Sequence, residues 1–121
     1  MADVKILIVD DSRTSKRILR NLLESQGYNV VAEAADGEEG YLKYQEVKPD
    51  LVTMDITMPK MDGIESLTLI KKLDPNAKVV MITAAGQKEK MVEALKRGAD
   101  EFITKPFDPE EVSSIIKRLT Q

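Results

Sequence analysis

Five short apolar runs alternate along this chain with five stretches of helical periodicity, and that strict alternation limits the fold more than any other feature. The first run, Lys5 to Val9 (Lys-Ile-Leu-Ile-Val), is rich in β-branched residues and apolar throughout, as a strand covered on both faces would be. Ser12 is a good helix N-cap, Ile18, Leu19, Leu22 and Leu23 form the stripe of the helix that follows, and Gly27 closes it. Asn29 to Ala34 is a second strand, and Asp36-Gly37 turns it into a helix carrying Tyr41, Tyr44 and Val47 that Pro49 stops. Leu51, Val52 and Met54 make a third strand, ended by Asp55. In the loop beyond it, Pro59 lacks a backbone donor and Gly63 tolerates positive φ. Asp62 with Glu65 has the spacing of a capping box for a helix striped by Ile64, Leu67, Ile70 and Leu73. Lys78 to Ile82 predicts a fourth strand, ending in Thr83-Ala84-Ala85-Gly86. Its helix places Met91, Val92 and Leu95 inside and ends at Gly98. Glu101 to Thr104 is a short fifth strand closed by Lys105-Pro106. Asp108-Pro109 then starts a last helix whose buried side is Val112, Ile115, Ile116 and Leu119.

Strands that alternate with helices return in the same direction each time, so the sheet is parallel, and right-handed crossovers place helices on both of its faces. The expected class is α/β. No repeat, low-complexity tract or linker interrupts the pattern, so residues 1–121 are expected to be one domain. The absence of cysteine excludes disulfides and thiolate metal sites, and the absence of histidine excludes His-dependent triads, His-ligated zinc and phosphohistidine chemistry on this chain. A net charge of -3 argues against nucleic acid or an anionic membrane as partner. The first strand begins within a few residues of Met1 and no apolar run approaches a membrane span, so no signal peptide and a cytoplasmic location are expected.

Chemistry in an open parallel sheet gathers in the crevice beyond the carboxyl ends of the strands. Here those ends display Asp10-Asp11, Asp55, Thr83 and Lys105. An aspartate ending a strand is commonly a solvated turn residue, and a threonine or lysine there would mean little alone. Together they are a pattern. Three carboxylates packed at one rim repel one another, and the single ammonium of Lys105 leaves them under-neutralised. A hard divalent cation completes the balance, and an oxygen cage with waters suits Mg²⁺. Such a cage with an open face fits phosphoryl transfer, with Asp55 as nucleophile and Thr83 hydrogen-bonding a phosphoryl oxygen.

Four segments then become recognisable: Ile8-Val9-Asp10-Asp11, Met54-Asp55-Ile56-Thr57-Met58-Pro59-Lys60-Met61-Asp62-Gly63, Ile82-Thr83-Ala84-Ala85 and Ile103-Thr104-Lys105-Pro106-Phe107. In this order and spacing they resemble the receiver domain of two-component response regulators, above all the stand-alone chemotaxis (CheY-like) type. The resemblance covers essentially the whole chain. It implies a flavodoxin-like (βα)5 fold with strand order 2-1-3-4-5. It also implies a signalling switch rather than an enzyme, one that assists its own phosphotransfer and autodephosphorylation. By this resemblance Asp55 is the phosphoacceptor and Asp11 a direct Mg²⁺ ligand. Asp10 holds the metal through water, and the Thr57 carbonyl completes the protein ligands. Thr83 is the switch hydroxyl, Lys105 the lysine that pairs with the phosphoryl group, and Lys105-Pro106 a cis peptide. Phe102 falls where the family has a rotameric aromatic, which is equally a core position. Thr57 and Ala85 tune water access, and the small Ala85 implies a short-lived phosphorylated state.

The expected partners are a histidine kinase or phosphotransfer protein as donor, acetyl phosphate as a small-molecule substitute, and a downstream target on the surface of the fourth helix, fifth strand and fifth helix. A monomer is expected. Arg13, Lys16, Arg17 and Arg20 near the acids read either as a solvated basic face or as the donor's docking site. A phosphatase of the haloacid dehalogenase type would want a second aspartate where Thr57 stands, and a flavodoxin would need a first loop that cradles phosphate where Asp10 and Asp11 repel it. A receiver module cut from a DNA-binding regulator is the nearer alternative, and only Thr120-Gln121 follows Leu119, so no output domain is expected.

Overall fold

The computed structural model describes residues 3–121. Its elements alternate as β1 (Lys5–Val9), α1 (Arg13–Ser25), β2 (Asn29–Ala34), α2 (Gly37–Val47), β3 (Leu51–Asp55), α3 (Gly63–Leu73), β4 (Val79–Thr83), α4 (Lys88–Lys96), β5 (Glu101–Thr104) and α5 (Pro109–Thr120). All strand pairings are parallel, and the order across the sheet is β2-β1-β3-β4-β5. The doubly wound α/β architecture and strand order are therefore those expected.

The two sheet faces carry two separate cores. Ile6, Ile8, Leu51, Val80, Ile82 and Ile103 pack against Leu19 and Leu23 of α1 and Val112, Ile115 and Ile116 of α5. Leu7, Val9, Val52, Met54, Val79 and Met81 face the other way, against Tyr44 of α2, Ile64, Leu67 and Ile70 of α3 and Ala94 of α4. Side chains alternate across a strand, so continuous apolar runs were required to fill both layers at once. In β3 and β4 every residue is buried.

Helix starts follow local chemistry. Ser12, Asp36, Asp62 and Asp108 each accept a hydrogen bond from a backbone N–H in the first turn of their own helix. Gly27 and Gly98 take the positive φ values, 90° and 101°, that end α1 and α4. No helix among the described residues is long and apolar enough to cross a membrane.

Several expectations need correction. Ile18 and Leu73, expected in the apolar stripes of α1 and α3, are 51% and 47% exposed at the edges of those stripes, which rest on Leu19 and Leu23 and on Leu67 and Ile70. Val92 and Leu95 are 44% and 54% exposed, not inward. Helix α4 rests on the sheet through Ala94 and the half-buried Met91 at i, i+3, and the small alanine leaves the larger apolar side chains turned outward. Gly63 does not adopt positive φ; in that loop Lys60 does, at 64°. Gly63 opens α3 instead, where a Cβ would collide with the carbonyl oxygen of Asp55. A close approach, not a left-handed turn, is what glycine supplies there.

Candidate functional site

Parallel strands bring all their carboxyl ends to one rim, and the chain leaves β1 and β3 toward opposite neighbours, so a crevice opens between them. β1 runs into Asp10 and Asp11, β3 ends on Asp55, β4 on Thr83, and β5 runs into Lys105. Asp10 and Asp55 are only 3% and 8% exposed, whereas Asp11 stands in solvent. One carboxylate oxygen from each of the three lies within 4.8 Å of the others. Sequence reasoning from strand ends thus located residues that share a pocket.

Hydrogen bonds and ion pairs hold these carboxylates in place. The Asp10 N–H donates to Ala34 O at 3.0 Å, and Asp10 Oδ1 accepts from the Ser12 N–H at 2.8 Å. Its other oxygen, Oδ2, meets Lys105 Nζ at 3.1 Å, and the same ammonium lies 3.5 Å from Asp55 Oδ2. Lys105 thus already bridges two of the acids. The Lys105-Pro106 peptide bond is cis.

The loop after β3 is fixed by backbone. The Gly63 N–H donates to Ile56 O at 2.7 Å, and the Gly37 N–H to Met61 O at 2.8 Å. Side chains at Gly37 and Gly63 would strike the carbonyls of Met61 and Asp55, so both glycines let α2 and α3 close on the loop. Composition marked Gly37 and Gly63 only as turn residues, because a tertiary approach leaves no local signal.

Electrostatics match this crowding. Burial pushes the Asp55 carboxyl up to about 6, the Asp10 charge adds to it, Lys105 opposes, and Asp11 adds a little more. Burial works against the Lys105 ammonium, but its hydrogen bond to Asp10 and the charge of Asp55 outweigh that, raising its pKa above the ordinary lysine value. Lys105 stays charged, and the pocket keeps an excess of negative charge.

Thr83 is 1% exposed, and its hydroxyl faces Thr104 Oγ1 on β5 at 3.5 Å, turned from Asp55 on the opposite neighbour strand. Phe102 is half-buried against the core on the α2–α3–α4 side. The exposed Thr57 accepts at Oγ1 from Gln87 Nε2 at 2.8 Å and lies 3.4 Å from Lys90 Nζ. Neither Gln87 nor Lys90 was anticipated, since a shared rim does not reveal which side chains of the two loops bond.

The donor set suits a hard cation. Mg²⁺ holds oxygen at about 2.1 Å, which spaces two oxygens on one ion roughly 3 to 4 Å apart. Carboxylate oxygens already within 4.8 Å need only a small adjustment, or one intervening water, to share such an ion. Asp10, Asp11 and Asp55 therefore fit Mg²⁺.

A doubly wound sheet with an acidic, lysine-bridged pocket at its switch point defines an α/β phosphate- or metal-handling domain. Comparison with known proteins makes this specific. The profile of the response regulator receiver domain matches residues 6–117. The chemotaxis protein CheY of Thermotoga maritima is 44% identical over 97% of this chain and 98% of its own length. CheY of Listeria monocytogenes is 47% identical over 95% and 97%. Among solved structures, the complex of CheX, CheY, BeF3 and Mg²⁺ from Borrelia burgdorferi contains a chain that superposes with a TM-score of 0.91 at 42% identity, covering 98% of this chain and 90% of that one. The chain belongs to the response regulator receiver domain family. Domains of this kind bind Mg²⁺ at an acidic pocket, take phosphoryl groups from histidine kinases and act on downstream targets as signalling proteins, not as conventional enzymes.

Proposed function

We propose that the chain is a chemotaxis-type signalling switch whose phosphoacceptor is Asp55. The observation that carries this reading is the meeting of Asp10, Asp11 and Asp55 around one point with Lys105 bridging Asp10 and Asp55. An oxygen of Asp55 attacks the phosphorus of the donor. The bond from phosphorus to the donor's imidazole nitrogen, or to the acetate oxygen of acetyl phosphate, breaks, and the leaving group keeps the electron pair. Lys105 neutralises phosphoryl oxygens as they arrive. Asp10, Asp11, Asp55 and the Thr57 carbonyl would hold Mg²⁺, which when bound supplies the remaining positive charge for this transfer. Because the chain has no histidine, the donor is a separate molecule, and the basic α1 side chains Arg13, Lys16 and Arg17 are a face on which it docks.

The phosphoryl group brings roughly two further negative charges. Thr83 leaves Thr104 for a phosphoryl oxygen, Phe102 follows into the space, and the α4–β5–α5 surface changes its affinity for a target protein. Ala85 leaves water free access, so the phosphorylated state is short-lived. The near-complete mutual coverage with the CheY relatives supports reading the chain as a single receiver domain; its further reading as a cytoplasmic monomer is part of the proposal. Incubation with acetyl phosphate, with and without Mg²⁺, followed by intact mass tests the reading. A phosphate adduct is expected only with the metal and only in the parent. An undiminished adduct in Asp55→Asn would place the chemistry elsewhere.

A further inference from the structure

Four helices begin under a side chain that caps their own first turn; α4 does not. Gln87 occupies its N-cap position, yet its carboxamide makes no bond to the helix. It works across the rim of the site instead. Its Oε1 accepts from the Ala84 N–H at 2.7 Å, and its Nε2 donates to Thr57 Oγ1 at 2.8 Å. A backbone N–H only donates, so the amide can face it only by its oxygen, which fixes the orientation of both bonds. One side chain thus ties the loop after β4 to the loop after β3. Lys90, one turn into α4, adds a second tie at 3.4 Å from the same threonine oxygen.

The position of the captured N–H gives this strap a consequence. Asp55 pairs in register with Ile82, so a group built outward from its carboxylate rises to the level of Thr83 and Ala84. The Ala84 N–H is a backbone donor at that level, and it is already engaged by Gln87. Helix α4 is lightly held: it is nine residues long and buries Ala94 fully and Met91 in part, while Val92 and Leu95 face outward. We propose that the Gln87 side chain is a resting-state latch, which withholds the Ala84 N–H from the phosphoryl group and pins the start of α4 to Thr57 until that group displaces it. This rests on Asp55 being the phosphoacceptor and adds a positioning residue that acts through Ala84 and Thr57. Loading of Asp55 and release of α4 become one competition for one N–H.

Gln87→Met keeps the length and removes both bonds; Gln87→Glu keeps an acceptor for Ala84, and the Thr57 hydroxyl can donate to it. Two NMR readouts separate the possibilities. The first is amide–water exchange of Ala84 in protein free of phosphate and metal. The second is the half-saturating concentration of beryllofluoride, a phosphoryl mimic, at saturating Mg²⁺. In Gln87→Met the Ala84 amide is expected to exchange about fivefold faster and half-saturation to fall about fivefold, the weight of one ordinary hydrogen bond. Gln87→Glu is expected to keep the slow Ala84 exchange. With a responsive parent, unchanged exchange or unchanged half-saturation in Gln87→Met would overturn the latch alone. A parent with no beryllofluoride response would overturn the phosphoacceptor reading and the competition built on it.

Discussion

Replacing Asp55 by asparagine should stabilise the metal-free protein, and should do so only above about pH 4. The folded protein lifts this carboxyl from 3.8 to about 6, chiefly by burial and then by the nearby Asp10 charge. Folded chains therefore hold the Asp55 proton to higher pH than unfolded chains do. The associated stability is complete below the unfolded value and declines as pH rises from about 4 to about 6. Above that window the ionised, crowded carboxylate costs up to about 3 kcal/mol, from roughly 2.2 pH units at 1.36 kcal/mol each. Asparagine carries no charge to bury, and Lys105 keeps its 3.1 Å contact with Asp10. Urea melts of both proteins in EDTA, at intervals from pH 4 to 8, give the difference directly. The expected gain is near zero at pH 4, grows through pH 6 and levels off at about 3 kcal/mol or somewhat less, roughly 10 °C in Tm for a chain of this size. Added Mg²⁺ should close the gap, because at a hundred times its Kd it would stabilise the parent by about 2.7 kcal/mol. A difference independent of pH, or an asparagine variant less stable at pH 8, would refute the electrostatic account.

Other sites give sharper, smaller tests. Gly63→Ala should destabilise by about 3 kcal/mol and abolish Mg²⁺ binding, since its methyl must displace the Asp55 carbonyl; an alanine variant with parental urea midpoint and metal affinity would contradict this. Thr53→Val should raise stability by about 1 kcal/mol, because the buried Thr53 hydroxyl has no hydrogen-bond partner; a loss in the urea midpoint would show that the hydroxyl is satisfied. Asp100→Ala should cost about 2 kcal/mol without altering Mg²⁺ affinity. Its carboxylate accepts from the buried Val79 N–H at 2.8 Å and from Lys71 at 2.9 Å, at the end of the sheet away from the pocket. A changed metal affinity would show that the two ends are coupled.

What could be read from the sequence was whatever a short window encodes. Parallel strands force continuous apolar runs, so β1, β3 and β4 were visible from composition alone, and caps at Ser12, Asp36, Asp62 and Asp108 act within three residues. The acid cluster was legible one step further, because a parallel sheet must bring Asp10, Asp11 and Asp55 to a common rim. Contacts between separate segments were not. The salt bridge from Lys71 to Asp100, the glycine approach beneath Asp55 and the bridge from Gln87 to Thr57 each join residues about thirty positions apart or fewer, with no periodicity to announce them. The inward face of α4 was misassigned for a related reason. Leu95 scores as core by hydropathy, but it is Ala94 that α4 buries against the sheet.

That misassignment bears on how the switch is built. A helix that buried Val92 and Leu95 would gain a few kcal/mol of apolar burial and be correspondingly hard to move. Helix α4 forgoes this: it has no cap of its own, one buried alanine, and a start fastened by an exposed amide to Thr57. Segments that move are drawn from the weakly held end of a structure. The rest of the rim is the reverse, with Asp10 held by Ser12 and Lys105, and the loop after β3 closed beneath Gly63. On the proposed reading, in which Asp55 is the phosphoacceptor, a rigid acid pocket beside a loosely pinned helix lets charge arriving at Asp55 meet little resistance in moving α4, and the outward Val92 and Leu95 would carry that movement to a partner.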